Sequence, residues 1–130
     1  MVTVLNVVLQ NHPGSLAEVL EIMARAEINV DAIEAEAQGD FGTVRLLTSK
    51  PKLAGELLRQ DGYEVVEAEA LQLMLPNKYG ELARLAKKLA DSNVNVVSLF
   101  GTSPNGPNDG RLVLRVNDTK AARKVLGISD

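Results

Sequence analysis

Asn11-His12-Pro13-Gly14-Ser15-Leu16 is a turn that runs straight into a helix-patterned segment, and the chain contains it twice. Sixty-six positions on stand Asn77-Lys78-Tyr79-Gly80-Glu81-Leu82, and the same offset lays Asn29-Val30 on Asn95-Val96. A correspondence that spans more than one element is an internal repeat, so the chain reads as two copies of one unit. A loop that opens a helix offers free backbone N–H groups and the positive end of the helix dipole, a combination that suits an anionic group. The expectation is a small ligand held at the loop.

The residues on either side of the loop give the unit its form. Val2 to Leu9 is almost wholly apolar and rich in Val, as in a strand covered on both faces. Pro13, favoured in a first helical turn, and Ser15 with Glu18, a capping-box pair, both signal a helix start, at slightly different places. Leu16, Val19, Leu20, Met23 and Ala24 then share one helical face, with Glu18, Glu21 and Arg25 opposite. From Asn29 to Ala37, Glu34 and Glu36 alternate with small apolar residues in a half-exposed strand pattern. Gly39-Asp40-Phe41-Gly42 is expected to turn and Thr43 to Thr48 to return, making a hairpin. Ser49-Lys50-Pro51 starts a second helix, striped by Leu53, Ala54, Leu57 and Leu58, that stops before Asp61-Gly62. A strand from Tyr63 to about Glu69 closes the unit. Strand, helix, strand, strand, helix, strand is the split βαβ order of ferredoxin-like folds.

No linker precedes the second unit, because Ala70 to Leu75 is again strand-like. Leu82, Leu85, Ala86, Leu89 and Ala90 repeat the helical stripe, and Asn95 to Gly101 gives the next strand. Thr102 to Asp109 makes a longer, mobile hairpin loop crowded with turn residues before Arg111 to Val116 returns. Asp118 caps a last helix carrying Ala122, Val125 and Leu126, and only Gly127 to Asp130 remains. The second unit therefore lacks a final strand, which leaves a sheet edge to be completed. A partner chain would complete it; so would one long strand from Tyr63 to Leu75 serving both sheets. The fold class expected is α+β: two ferredoxin-like βαββαβ units, residues 1–69 and 70–130, with antiparallel sheets and helices on one face.

Composition narrows the function. The 130 residues, 45% of them hydrophobic, suffice for one ordinary domain or two small ones. A formal charge of −3 and no run of Lys and Arg argue against a nucleic-acid partner. No apolar run nears the roughly 18 residues of a spanning helix, and the N-terminus lacks the basic flank of a signal peptide. A soluble, unprocessed, cytoplasmic protein is expected, without a membrane partner. The chain has no cysteine, which removes disulfides, thiolate metal sites, iron–sulfur carriers and copper chaperones. Two Phe and two Tyr are too few for an RNA-stacking module, and no Arg stands in the loop as acylphosphatase chemistry would want. No serine elbow, zinc-binding His pair, P-loop or dinucleotide glycine motif is present. Neither catalytic residues nor a cofactor nor a metal site is expected.

Asn11-His12-Pro13-Gly14-Ser15-Leu16, the amphipathic helix after it and Ile28-Asn29-Val30 together resemble the ACT domain family, small modules that sense amino acids in the regulation of amino-acid metabolism. The first copy is similar to the family's Asn-x-Pro-Gly-x-Leu loop and the Asn-Val at the start of its second strand. In the second copy Tyr79 takes the place of the loop proline. The resemblance covers nearly the whole chain as two tandem copies, similar to stand-alone proteins made only of paired ACT domains. It implies an amino acid or close analogue bound where two ACT units meet, a homodimer, and allosteric control of a partner in amino-acid metabolism. It also implies a ligand site of Asn11, His12, Pro13, Gly14 and Asn29, with Asn77, Gly80 and Asn95 as counterparts. The chemistry is consistent: backbone N–H groups near Gly14 suit a carboxylate, and the Asn amides carry both donors and acceptors.

Each of these residues has a purely structural explanation too. Asn11 and Asn77 suit a cap or turn; Gly14 and Gly80 suit a tight strand-to-helix connection; Asn29 and Asn95 suit a left-handed helix terminus. His12, the only histidine, suits a solvated loop, Asp40 and Asp109 suit turns, and Glu34 with Glu36 suits a wet strand face. The alternative function is a ligand-free interaction subunit of an amino-acid-metabolism enzyme or regulator.

Overall fold

The structure is a computed structural model that describes residues 1–102 and 110–128. The elements are β1 (Val2–Gln10), α1 (Ser15–Arg25), β2 (Val30–Gln38), β3 (Phe41–Thr48), α2 (Pro51–Gln60), β4 (Val65–Leu75), α3 (Glu81–Asp91), β5 (Val96–Gly101), β6 (Gly110–Val116) and α4 (Thr119–Leu126). They form two compact units. One is Thr3–Ala68, the N-terminal unit; the other, the C-terminal unit, starts at Glu69 and also takes in Met1–Val2.

The N-terminal unit has the strand order β2-β3-β1-β4, with β3 antiparallel to both β1 and β2. Leu5, Val7 and Leu9 stand two apart and so share one face of β1. They meet Val44 and Leu46 of β3, Val19, Ile22 and Met23 of α1, and Ala54 and Leu58 of α2 in one buried cluster. The helices thus cover one face of the sheet, as α+β layering requires. Leu5, Leu46 and Leu58 are fully buried. Each such side chain contributes about 1.5–3 kcal/mol of transfer free energy.

The C-terminal unit repeats the scheme with strand order β4-β6-β5, again antiparallel. Its core joins Leu71, Leu112 and Leu114 from the strands to Leu85 and Leu89 of α3 and Ala122 of α4, and Met1 packs against it. Among the described residues no strand follows α4. Of the two expected ways to complete the short sheet, the long strand is present: Val65–Leu75 is one uninterrupted element, and the division between the units falls within it.

Local details depart from the sequence reading. The first hairpin turn is only Gly39-Asp40; Phe41 and Gly42 already belong to β3, paired with Gln38 and Ala37. Gly39 has φ +67°, and a positive φ at the first of two loop residues is what a type II′ hairpin demands. Ser15 and Glu18 do not form a capping box. Ser15 is the first helical residue, and the cap is the left-handed Gly14, without a side-chain cap bond. Pro13 precedes the helix. The left-handed residues after α1 and α3 are Glu27 and Asn93, two positions before Asn29 and Asn95. Asp118 does cap α4, accepting from the Ala121 N–H at 2.9 Å. The hairpin loop expected to be mobile lies, from residue 103 to 109, outside the described residues, and with it Asp109.

Candidate functional site

In the N-terminal unit the loop between β1 and α1 folds against the tip of the β2–β3 hairpin. The Asn11 N–H donates to the Asp40 carbonyl at 2.8 Å, and its side-chain amide donates to the Gly39 carbonyl at 2.8 Å. His12 is held on both sides, its Nδ1 3.0 Å from Ser15 Oγ and its Nε2 3.0 Å from Gln10 Oε1. Nδ1 also lies 3.1 Å from the Pro13 carbonyl oxygen, so the ring is held among the Gln10 amide, the Ser15 hydroxyl and the Pro13 carbonyl. Gly14 then takes φ +91° to swing the chain into α1. A Cβ on Gly14 would meet nothing within 4 Å, so the dihedral, not close approach, asks for glycine there.

Beside this loop lies a cleft of about 190 Å³, lined by Asn11, His12 and Ser15 on one wall and by Ala35, Glu36 and Thr43 on the other. The C-terminal unit has a cleft at the equivalent place, about 280 Å³, with Asn77, Lys78 and Glu81 facing Leu99, Gly101 and Arg111. The strand register makes the correspondence firm. Val8 pairs with Thr43 as Met74 pairs with Arg111, and Leu9 pairs with Gly42 as Leu75 pairs with Gly110. Gly80, like Gly14, is a left-handed cap, with φ +84°. Tyr79, where the first copy has proline, is fully exposed.

Asn11 and His12 thus share a cleft with each other, and Asn77 holds the matching position. Pro13, Gly14 and Gly80 shape the loops without lining either cleft. Asn29 and Asn95 stand elsewhere. The Asn29 N–H donates to Ser49 Oγ at 3.0 Å, its carbonyl accepts from the Ser49 N–H, and its side chain donates to Asp31. Asn95 is tied to Asn117 in the same way. These contacts fasten the start of β2 to the end of β3, whereas Asn11 fastens the opposite end. The nine residues of β2, at ~3.3 Å each, separate them by roughly 30 Å, so Asn11 and Asn29 of one unit do not grip a single small ligand. Spacing in sequence carries no such distance. The residues missed at first, Lys78, Glu81, Gly101 and Arg111, are found by carrying the repeat offset through the strand pairing.

Among the described residues no group of three His, Asp or Glu could hold a metal ion. No described helix is long and apolar enough to cross a membrane.

The sequence model of the family described as an ACT domain pair matches residues 1–129. The chain belongs to the ACT domain pair family. No curated protein matches it in sequence. Among solved structures, this ACT pair is similar to protein BT0572 from Bacteroides thetaiotaomicron, with 27% identity and a TM-score of 0.92 over 97% of this chain and 86% of that one. It also resembles the ligand-free regulatory subunit of aspartate kinase from Thermus thermophilus, with 14% identity and a TM-score of 0.71 over 96% of this chain and 89% of that one. The corresponding subunit from Thermus flavus gives 16% identity and a TM-score of 0.65, over 98% and 92%. The last two likenesses establish the shared fold.

Proposed function

We propose that this ACT pair is a regulatory protein that binds an amino acid, or a close analogue, in the clefts beside its β1–α1 and β4–α3 loops, and catalyses no reaction itself. The observation that carries this reading is the recurrence of one cleft, at register-matched positions, in both units. The loop amides at the start of α1 and α3 suit a carboxylate, and the Asn side chains with Glu36 and Glu81 suit the ammonium group. The regulatory subunits of aspartate kinase that share the fold support a regulatory role by analogy. Occupancy would act by differential binding: a ligand that fits one state of a dimer, or of a complex with a partner in the cytoplasm, shifts the balance toward that state.

Thermal unfolding of the full chain against each of the twenty amino acids at millimolar concentration tests the proposal. A ligand of the folded state at a hundred times its Kd adds about 2.7 kcal/mol of stability, a shift easily read. One chemical group of amino acids is expected to raise Tm. A flat result with all twenty overturns the ligand reading in favour of an interaction subunit that works without a small molecule.

A further inference from the structure

We infer that the C-terminal unit carries a docking groove for an extended segment of a partner protein, acidic and apolar in alternation, that adds as a strand to the free edge of β4 between Gln72 and Leu75. This goes beyond the amino-acid reading and does not depend on it.

The repeat shows what the groove lacks. In the N-terminal unit the first half of β4 lies beside β1: the Val8 N–H donates to the Glu64 carbonyl at 3.1 Å, the Asn6 side-chain amide donates to the Val66 carbonyl at 3.3 Å, and Tyr63 and Val65 pack on the core. In the C-terminal unit Met74 holds the place of Val8 by strand register. Among the described residues no strand follows α4 to lie beside it. Nor does β1 reach it. The contacts of β1 with Glu64 and Val66 run antiparallel, which brings Val2, the first residue of β1, level with Ala70 and short of Met74. The Met74 N–H therefore points to an open edge, with β6 on the other side. Such an edge is a ready template for strand addition.

Beside the edge lies a groove of about 370 Å³. Leu73, Leu75 and Leu126 line it and are only partly buried, and Met74 is 53% exposed beside them. Wet apolar surface of this kind is covered favourably by apolar side chains. A free amino acid would leave the Met74 amide unpaired, whereas a chain segment pairs the edge and fills the groove together.

Charge selects the segment. Arg84 and Lys88, four residues apart on α3 and so on one face, line the groove where the N-terminal unit has Glu18 and Ile22. In that unit the Tyr63 hydroxyl donates to Glu18 at 2.9 Å. A guanidinium has no acceptor, so a strand laid in the C-terminal unit has to bring one to the same point, and a carboxylate is the acceptor that matches in charge. Arg84 bonds Glu81 through Nη1 and its side chain is still 71% exposed, leaving donors for a second carboxylate. Lys88 makes no ion pair among the described residues. With Glu81 counted, the groove keeps a net positive charge.

The probe is a capped, fluorescently labelled peptide of residues 62–68 carrying Tyr63→Glu, which is the N-terminal unit's own strand with a carboxylate placed for Arg84. Anisotropy with the full chain is expected to show saturable binding that weakens as salt is raised. Arg84→Glu and Lys88→Glu should each weaken it about tenfold or more, the size of one lost charge-assisted bond. Lys52→Glu, the same charge change in the N-terminal unit, should leave it unchanged. N-methylation of the peptide at the position of Glu64 removes a strand-pairing donor and should abolish binding, a test that needs no protein variant to fold. ¹⁵N spectra of the full chain should place the shifts at residues 72–75 and 84–88. No saturable binding at millimolar peptide, equal binding of the N-methylated peptide, an affinity indifferent to both Arg84 and Lys88, or shifts centred on residues 30–38 overturns the inference. None of these outcomes bears on the amino-acid melting test, which stands or falls separately.

Discussion

Glu27 and Asn93 occupy the same point in the repeat, the left-handed step that ends the first helix of each unit, at φ 56° and 58°. Asparagine visits that region readily; glutamate does so at a cost of about 1–2 kcal/mol. The chain accepts the cost because the Ile28 N–H then reaches back to the Met23 carbonyl at 2.9 Å and brings Ile28 into the core. Glu27→Gly is therefore expected to raise stability by about 0.5–1 kcal/mol, while Asn93→Gly gains less. Denaturant unfolding of the two variants side by side checks this. A second prediction at this scale concerns Tyr63, whose hydroxyl donates to Glu18 at 2.9 Å. Burial, then the hydrogen bond and charge of Glu18 and the charge of Asp61, raise its pKa above the ordinary tyrosine value. A group with a raised folded-state pKa contributes fully below its unfolded pKa, and the contribution fades as pH climbs through the folded value. The wild type should thus lose this stability as pH climbs above about 10, and Tyr63→Phe should lose less over that range. An equal loss in both proteins would mean that the bond has no part in it.

The hairpins show how tightly the elements are fitted. Gly101 of β5 faces Leu112 of β6, and a Cβ there would fall 2.6 Å from the Arg111 carbonyl oxygen and 2.8 Å from Leu112 Cδ1. Backbone cannot yield as a side-chain tip can, so Gly101→Ala should destabilise by about 1–3 kcal/mol. Its register-matched residue in the first unit is Ala35, opposite Val44. Converting Ala35 to Gly should cost under about 1 kcal/mol, through strand propensity alone. Urea unfolding of both variants gives the comparison. Element order and the core faces were legible in the chain, because Val19 and Met23, or Leu85 and Leu89, carry the helical period that buries them. What was not legible was which residue of a turn takes the positive φ. Gly14, Ser15 and Pro13 all promise a helix start, and only the assembled loop, with Ser15 turned toward His12, makes Gly14 the cap.

At the scale of the whole molecule, the repeat gives two units built on one plan, each with a cleft at the register-matched place. The signal was in the loop motif from the start, and it pointed to the N-terminal copy, where the pattern is fuller. The fuller copy ties Asn11 and His12 to its own hairpin and loop, and the copy with Tyr79 has the wider cleft, about 280 Å³ against 190 Å³. Asn29 stands apart from Asn11 within its unit for a related reason: a motif records adjacency along the chain, and nine residues of strand set its two ends far apart. The single strand β4 has a consequence for ancestry and engineering. Because the division between the units falls inside Val65–Leu75, and Met1 and Val2 belong with the later unit, the halves are no cassettes. A gene cut at the repeat boundary would split a strand and strand two residues on the wrong side. Exchange of a unit between relatives has to carry β4 and the first residues of β1 along with it.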